Sequence, residues 1–212
     1  IELLRAMQDR GDLLQGEEGQ WVESPALDWQ RLPPRVEGVI EERIGRLDSE
    51  SQELLRLAAV EGERFTVQVV ARILGAQERR LLQRLSVDLD QRQQLVAEEG
   101  IETLGEHRRY RYRFRHVLFQ QYLHAHLSLV ERELLHAKVA DALESLYPDQ
   151  TSEMAAELAR HWLLAAEEER AVPYLIEAGD RARAVYAHAE AEGFYRQAVS
   201  YTHLRAHETK AN

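Results

Sequence analysis

The stretch Gln94–Val117, QLVAEEGIETLGEHRRYRYRFRHV, decides how the chain is read. Its second half alternates strictly. Tyr110, Tyr112 and Phe114 fall on one side of an extended backbone, and Arg109, Arg111, Arg113 and Arg115 on the other, because successive strand side chains point to opposite faces. QLVAEE, before a polar turn, is a second strand candidate. A two-stranded ribbon is therefore expected here, with one aromatic and one basic side.

Short helices precede it. Val36, Ile40, Ile44 and Leu47 keep one apolar face behind Pro33-Pro34, a good helix start. Asp48 or Ser49 is placed to cap a second helix carrying Leu54, Leu55, Leu57 and Ala58. GERFTVQVVARILG reads as a turn, a cap at Thr66 and a helix closed by Gly75, and AQERRLLQRLSVDLDQ as a fourth helix with Leu81, Leu82, Leu85 and Leu89 inward. Helices followed by a ribbon are the order of a winged helix-turn-helix domain. Upstream, Ile1, Leu3, Leu4 and Met7 form a short helical stripe, and Leu13-Leu14 face Trp21-Val22 as a small hairpin before a linker.

Beyond the ribbon everything is helical. Val117–Leu129 and Glu131–Tyr147 are expected as helices, the second closed by Pro148. Thr151/Ser152 open a third, and the run from Arg170 to Val199 supplies at least two more. Ala191, Tyr195 and Ala198 give the small, aromatic, small face of a tetratricopeptide helix pair; Ala171, Leu175 and Ala178 share the spacing 20 residues earlier, not the ~34 of a regular repeat. The fold class is thus mainly α: a winged-helix domain with short β-hairpins, then a tetratricopeptide-like helical region.

Bulk properties narrow the function. The 212 residues carry 37 acidic and 27 basic side chains, a net charge of −10, which argues against a general nucleic-acid coat. With no cysteine there is neither a disulfide framework nor a thiolate metal site. No apolar run approaches the roughly 20 residues needed to cross a bilayer, so a cytoplasmic protein without membrane contact is expected. The phosphate loop G-x-x-x-x-G-K-[ST] is missing, as are G-x-G-x-x-G, H-E-x-x-H and G-x-S-x-G. Acidic runs such as Glu167-Glu168-Glu169 are read as solvated charge on exposed helix faces and not as acid/base pairs. A non-catalytic chain is expected, with no metal: His124 and His126 point to different helix faces, and with His136 are read as ordinary helix residues.

Three stretches carry a resemblance: LPPRVEGVIEERIGRLDSESQELLRLAAVEGERF, YRFRHVLFQQYLHAHLSLVERELLHAKVADALE and ELARHWLLAAEEERAVPYLIEAGDRARAVYAHAEAEGFYRQAV. In order and spacing the chain resembles the signal-transduction ATPases with numerous domains. It is most similar to bacterial regulators in which an AAA-type ATPase module precedes a winged helix and tetratricopeptide-like repeats. That family includes LuxR-type regulators and proteins with fused kinase or cyclase domains. The resemblance implies an upstream ATP-binding core holding ATP or ADP with Mg, outside this chain and in the same parent as its partner. It also implies a protein or inducer ligand on the helical repeats, and DNA contact only through another domain.

The resemblance divides the chain into residues 1–31 (remnant of the ATPase module), 32–116 (winged helix), 117–199 (helical region) and 200–212. Beginning at Ile1, within a helical stripe, the chain is expected to be cut upstream. Ser200–Thr209 resembles a translated sequencing adapter, so the segment from Ser200 on is expected not to be native.

In the family, a His of an M-H-D motif contacts the phosphate of bound ADP. Here Phe114-Arg115-His116-Val117-Leu118 is similar in position, with Arg115 in place of the Met and Val117 in place of the Asp. His116 is the nucleotide-sensing candidate and Arg115 a weaker second. Arg109, Arg111 and Arg113 are candidates for a nucleic-acid or an interdomain contact. The expected role is a regulatory one, a lid that senses the nucleotide beside a helical interaction surface. The alternatives are a DNA-binding regulator using the wing and the helix Glu78–Asp88, and a tetratricopeptide-type scaffold.

Overall fold

In the computed structural model the described residues are 13–15, 21–23 and 34–208, with side chains described from 37 to 201. The expected helix at Ile1–Met7 and the linker fall outside them. Strands β1 (Leu13–Gln15) and β2 (Trp21–Glu23) pair antiparallel, Leu14 opposite Val22. The first two helices follow the sequence reading. α1 (Pro34–Gly45) buries Ile40 and Ile44, and α2 (Ser49–Glu61) starts at Asp48, whose carboxylate accepts the Ser51 N–H at 2.8 Å.

The next segment departs from it. Arg64–Thr66, expected as a turn, is strand β3, because it pairs with residues 111–113 more than forty positions away. α3 (Val67–Leu74) ends at left-handed Gly75 as expected, but Thr66 makes no side-chain cap. α4 (Glu78–Gln83) continues as a π-helix over Arg84–Arg92, with Leu81, Leu85 and Leu89 inward.

β4 (Val96–Leu104) is longer than expected and passes a register shift at Glu98/Gly100. A two-residue turn, Gly105-Glu106, then joins Leu104 to its partner His107 in β5 (His107–Phe114). The sheet is antiparallel with order β3-β5-β4. Gly105 has φ +56, and a Cβ on it would stand 2.3 Å from the Gln150 carboxamide nitrogen. Gly105→Ala is therefore expected to lose about 1–3 kcal/mol in urea unfolding; an unchanged midpoint would show that the turn relaxes freely.

The helices that follow also shift at their ends. α5 (Val117–Ala125) stops four residues short of the expected Leu129, because Ser128 and Glu131 form a reciprocal capping box that starts α6 (Leu129–Leu146). Thr151/Ser152 do not cap; a 3-10 turn at Pro148–Gln150 intervenes and α7 (Ala155–Leu164) starts after Met154. α8 (Glu168–Ala184) and α9 (His188–Glu208) form an antiparallel-type hairpin through a short turn at Tyr186, φ 62. α9 runs on through Ser200 to Glu208. The two small-residue triads thus lie on neighbouring helices, which accounts for their spacing of 20. Ala171, Leu175, Ala178, Ala191 and Ala198 are all buried, and the Tyr195 ring covers Gly179.

One apolar core links these parts. Phe65, Tyr112 and Phe114 stack beneath the sheet, and the same cluster continues through Phe119, Leu143, Leu158 and Trp162 to Ala171. Members of this cluster lie on both sides of residues 116/117. No helix among the described residues is long and apolar enough to cross a membrane.

Candidate functional site

β5 delivers His116 to the first position of α5. His116 is extended (φ −134, ψ 130), its carbonyl accepts the Phe119 N–H at 3.1 Å, and its imidazole makes no cap bond and is exposed. The ring meets the edge of Phe119 at 6.5 Å, and the Arg43 guanidinium lies 4.9 Å over the same Phe119 ring. An exposed imidazole and a helix N-terminus share one corner, an arrangement suited to an anion, while Arg43 donates from Nη2 to the Gln93 carbonyl. Arg115 has a different occupation. Its Nε donates to the Val96 carbonyl at 2.9 Å and its guanidinium is paired with Asp90, so it fastens β5 to β4 and to the π-helix.

Arg109, Arg111 and Arg113 share a face of β5 but not an environment. Arg109 is 4% exposed, donating to Thr66 Oγ1 at 3.1 Å, lying 3.7 Å from Glu157 of α7 and stacking over Tyr147. Arg111, half-buried, donates to Thr66 Oγ1 at 2.6 Å and reaches Glu61 at 3.5 Å. Arg113 is exposed beside Glu99. Arg109 thus joins the sheet to α7 and to the end of α6. Around Arg111 and Arg113, the open groove on this face, about 610 Å³, also holds Arg64, Glu98, Glu99 and Glu102. Three arginines against three glutamates leave no basic surface for a phosphate backbone. The helix Glu78–Asp88 is neutralised likewise: Arg80 pairs with Glu50, and Arg84 with Asp48 and Glu50.

Sequence reading missed the centre of the molecule. Glu61, at the end of α2, is 3% exposed, and burial first, then Glu157, push its carboxyl up to about 7. Its Oε2, Arg109 Nε and Tyr147 Oη are buried without a hydrogen-bond partner among the described residues. The Glu61 carbonyl accepts Arg160 Nη2 at 2.8 Å, and Arg160 in turn reaches His161, which pairs with His136. His136, read as an ordinary helix residue, is 2% exposed, and His161, which the sequence reading did not single out, is 0% exposed. The signal was present, since His136 shares a face with Val139, Ala140 and Leu143, and His161 with Leu158 and Ala165. His124 is half-buried near His136, while His126 stacks on Tyr122 and faces Glu37 at 3.9 Å. Among the described residues no three His, Asp or Glu side chains are grouped to hold a metal ion.

Compared with protein-family models, with curated proteins and with solved structures, the chain matches none.

Proposed function

We propose that the chain is a non-catalytic regulatory module: a winged-helix lid that senses a nucleotide held by an AAA-type ATPase core, joined to a tetratricopeptide-like surface for a protein or inducer. The observation that carries the lid is the order α2-β3-α3-α4-β4-β5, with β5 central in the sheet and leading directly into exposed His116 at the start of α5. That corner favours a phosphate: the helix N-terminus offers unpaired N–H groups beside the exposed imidazole of His116. Arg115, already paired with Asp90, plays a fastening part in this reading and not a sensing one. The α8–α9 hairpin, with Tyr195 packed on Gly179, supports the repeat-like surface.

In a parent protein carrying the ATPase core, His116→Ala is expected to speed ADP release by about ten-fold, the loss of one charge-assisted hydrogen bond. Nucleotide exchange and signalling output equal to the wild type would remove the sensor role. The DNA-binding alternative makes the opposite forecast. Because its arginines are matched by glutamates, the chain is expected to leave a duplex unshifted at 50 mM salt; a shift that weakens steeply with salt would favour that alternative.

A further inference from the structure

Away from the β5–α5 corner, two buried imidazoles and the exposed Arg160 form a hydrogen-bonded line across the seam between α2, α6 and α7. Arg160 Nη2 donates to the Glu61 carbonyl and stands 2.8 Å from His161 Nε2; His161 Nδ1 stands 2.9 Å from His136 Nδ1. A guanidinium can only donate. His161 Nε2 must therefore accept, which leaves its one proton on Nδ1. That proton points at His136 Nδ1, which must accept in turn and keep its own proton on Nε2. One arginine fixes both tautomers.

The line has no place for another proton. Placed on His136 Nδ1, it faces the His161 Nδ1–H. Passed along, it turns a His161 Nε2–H against Arg160. Either way two donors confront each other on rings that are themselves buried.

The surroundings sharpen the effect. His124 comes from α5, Arg132 from α6 and Arg160 from α7, all basic; with burial as the leading cause they hold His136 down to about 4, and burial with Arg160 holds His161 well below its ordinary value. Carboxylates on the packed elements are engaged elsewhere: Glu61 with Arg111, Glu157 with Arg109, and Glu144 with Trp162, Tyr174 and Arg170. Arg72 of α3 is turned to Ser145.

We propose that the His136–His161–Arg160 line is a proton-sensitive fastening between the sheet-bearing half and the helical half, closed while both rings are neutral and released when either gains a proton. Release frees Arg160 from the Glu61 carbonyl and loosens α7, on which α8 and α9 are stacked. The angle of the α8–α9 surface then follows pH independently of any nucleotide.

Hydrogen exchange of the full chain tests this, comparing α7 amides with those of α3 from pH 7.5 to pH 5 after correction for intrinsic rates. Glu61 titrates at the same seam in the opposite sense, so the comparison is made in E61Q, alone and combined with H136Q and H161Q. A glutamine in each position keeps an acceptor and a donor but takes no proton. In E61Q, α7 protection is expected to fall roughly ten-fold or more relative to α3, and in the triple variant to hold. Protection that tracks α3 in E61Q, or falls equally in the triple variant, overturns the proposal. Should the triple variant not fold, imidazole nitrogen NMR of the wild-type chain at pH 7.5 decides: protons on His136 Nε2 and His161 Nδ1 sustain the line, and the opposite tautomers refute it.

Discussion

Trp162→Ala is expected to remove about 3–5 kcal/mol of stability, the largest loss for any single truncation in the helical half. Trp162 is fully buried where α6, α7 and α8 meet. Its Nε1 donates to Glu144 at 2.8 Å, and the Arg170 guanidinium lies 3.3 Å over its ring. Truncation therefore opens a large cavity, takes a donor from Glu144 and leaves Arg170 without its stacking surface. Glu144 keeps Tyr174 and Arg170, so the loss is mainly of packing and not of charge. Against a typical total of roughly 5–15 kcal/mol, the melting temperature should fall by roughly 10 °C or more. Trp162→Phe, which keeps the apolar body, should recover most of it. A circular-dichroism melt of the alanine variant within about 3 °C of the wild type, a loss of roughly 1 kcal/mol, would show that the three helices do not depend on this residue.

What the sequence made legible follows the range of the physics involved. Caps and short-range periodicity act within a few residues, and there part of the reading held: Asp48 caps α2, Gly75 ends α3, and Leu81, Leu85 and Leu89 face inward, while Thr66 and Thr151/Ser152 make no cap. The end of α5 was equally local, written in Ser128 and Glu131, and was missed by following apolar residues past a capping signature. β3 is different. Three residues are too few to show a period, and Arg64–Thr66 becomes a strand only because β5 arrives to pair with it. Burial on the β5 arginine face was also out of reach. Strand alternation puts Arg109 and Arg113 together, but α7 and Tyr147 cover one end and leave the other in solvent. The seam residues show the same limit: periodicity turns His136 and His161 inward, yet only the packing of α6 on α7 shows that they meet each other and Arg160.

Glu61→Gln is expected to stabilise the chain at pH 8 by up to about 3 kcal/mol, and by less than about 1 kcal/mol at pH 5. The carboxyl is pushed up from 4.5 to about 7, chiefly by burial and then by Glu157, so the folded chain holds this proton more tightly than the unfolded one. A raised pKa of this kind contributes stability that is complete below pH 4.5 and is lost as pH climbs to about 7. Above that, a charged Glu61 is buried with one oxygen unpartnered and Arg111 only 3.5 Å from the other. Glutamine reproduces the protonated form and has nothing to lose. His136 works in the contrary direction. Held down to about 4, it contributes stability that is complete above its ordinary 6.5 and disappears as pH falls toward 4. Between pH 4.5 and 6.5 the two slopes oppose each other at the same seam, so the wild-type profile should be nearly flat there. Glu61→Gln takes away one slope and should leave a chain more stable in weak base yet visibly acid-sensitive. Urea unfolding at unit steps from pH 5 to pH 8 reads both effects, and a gap between variant and wild type that stays constant with pH would mean that Glu61 does not titrate in this window.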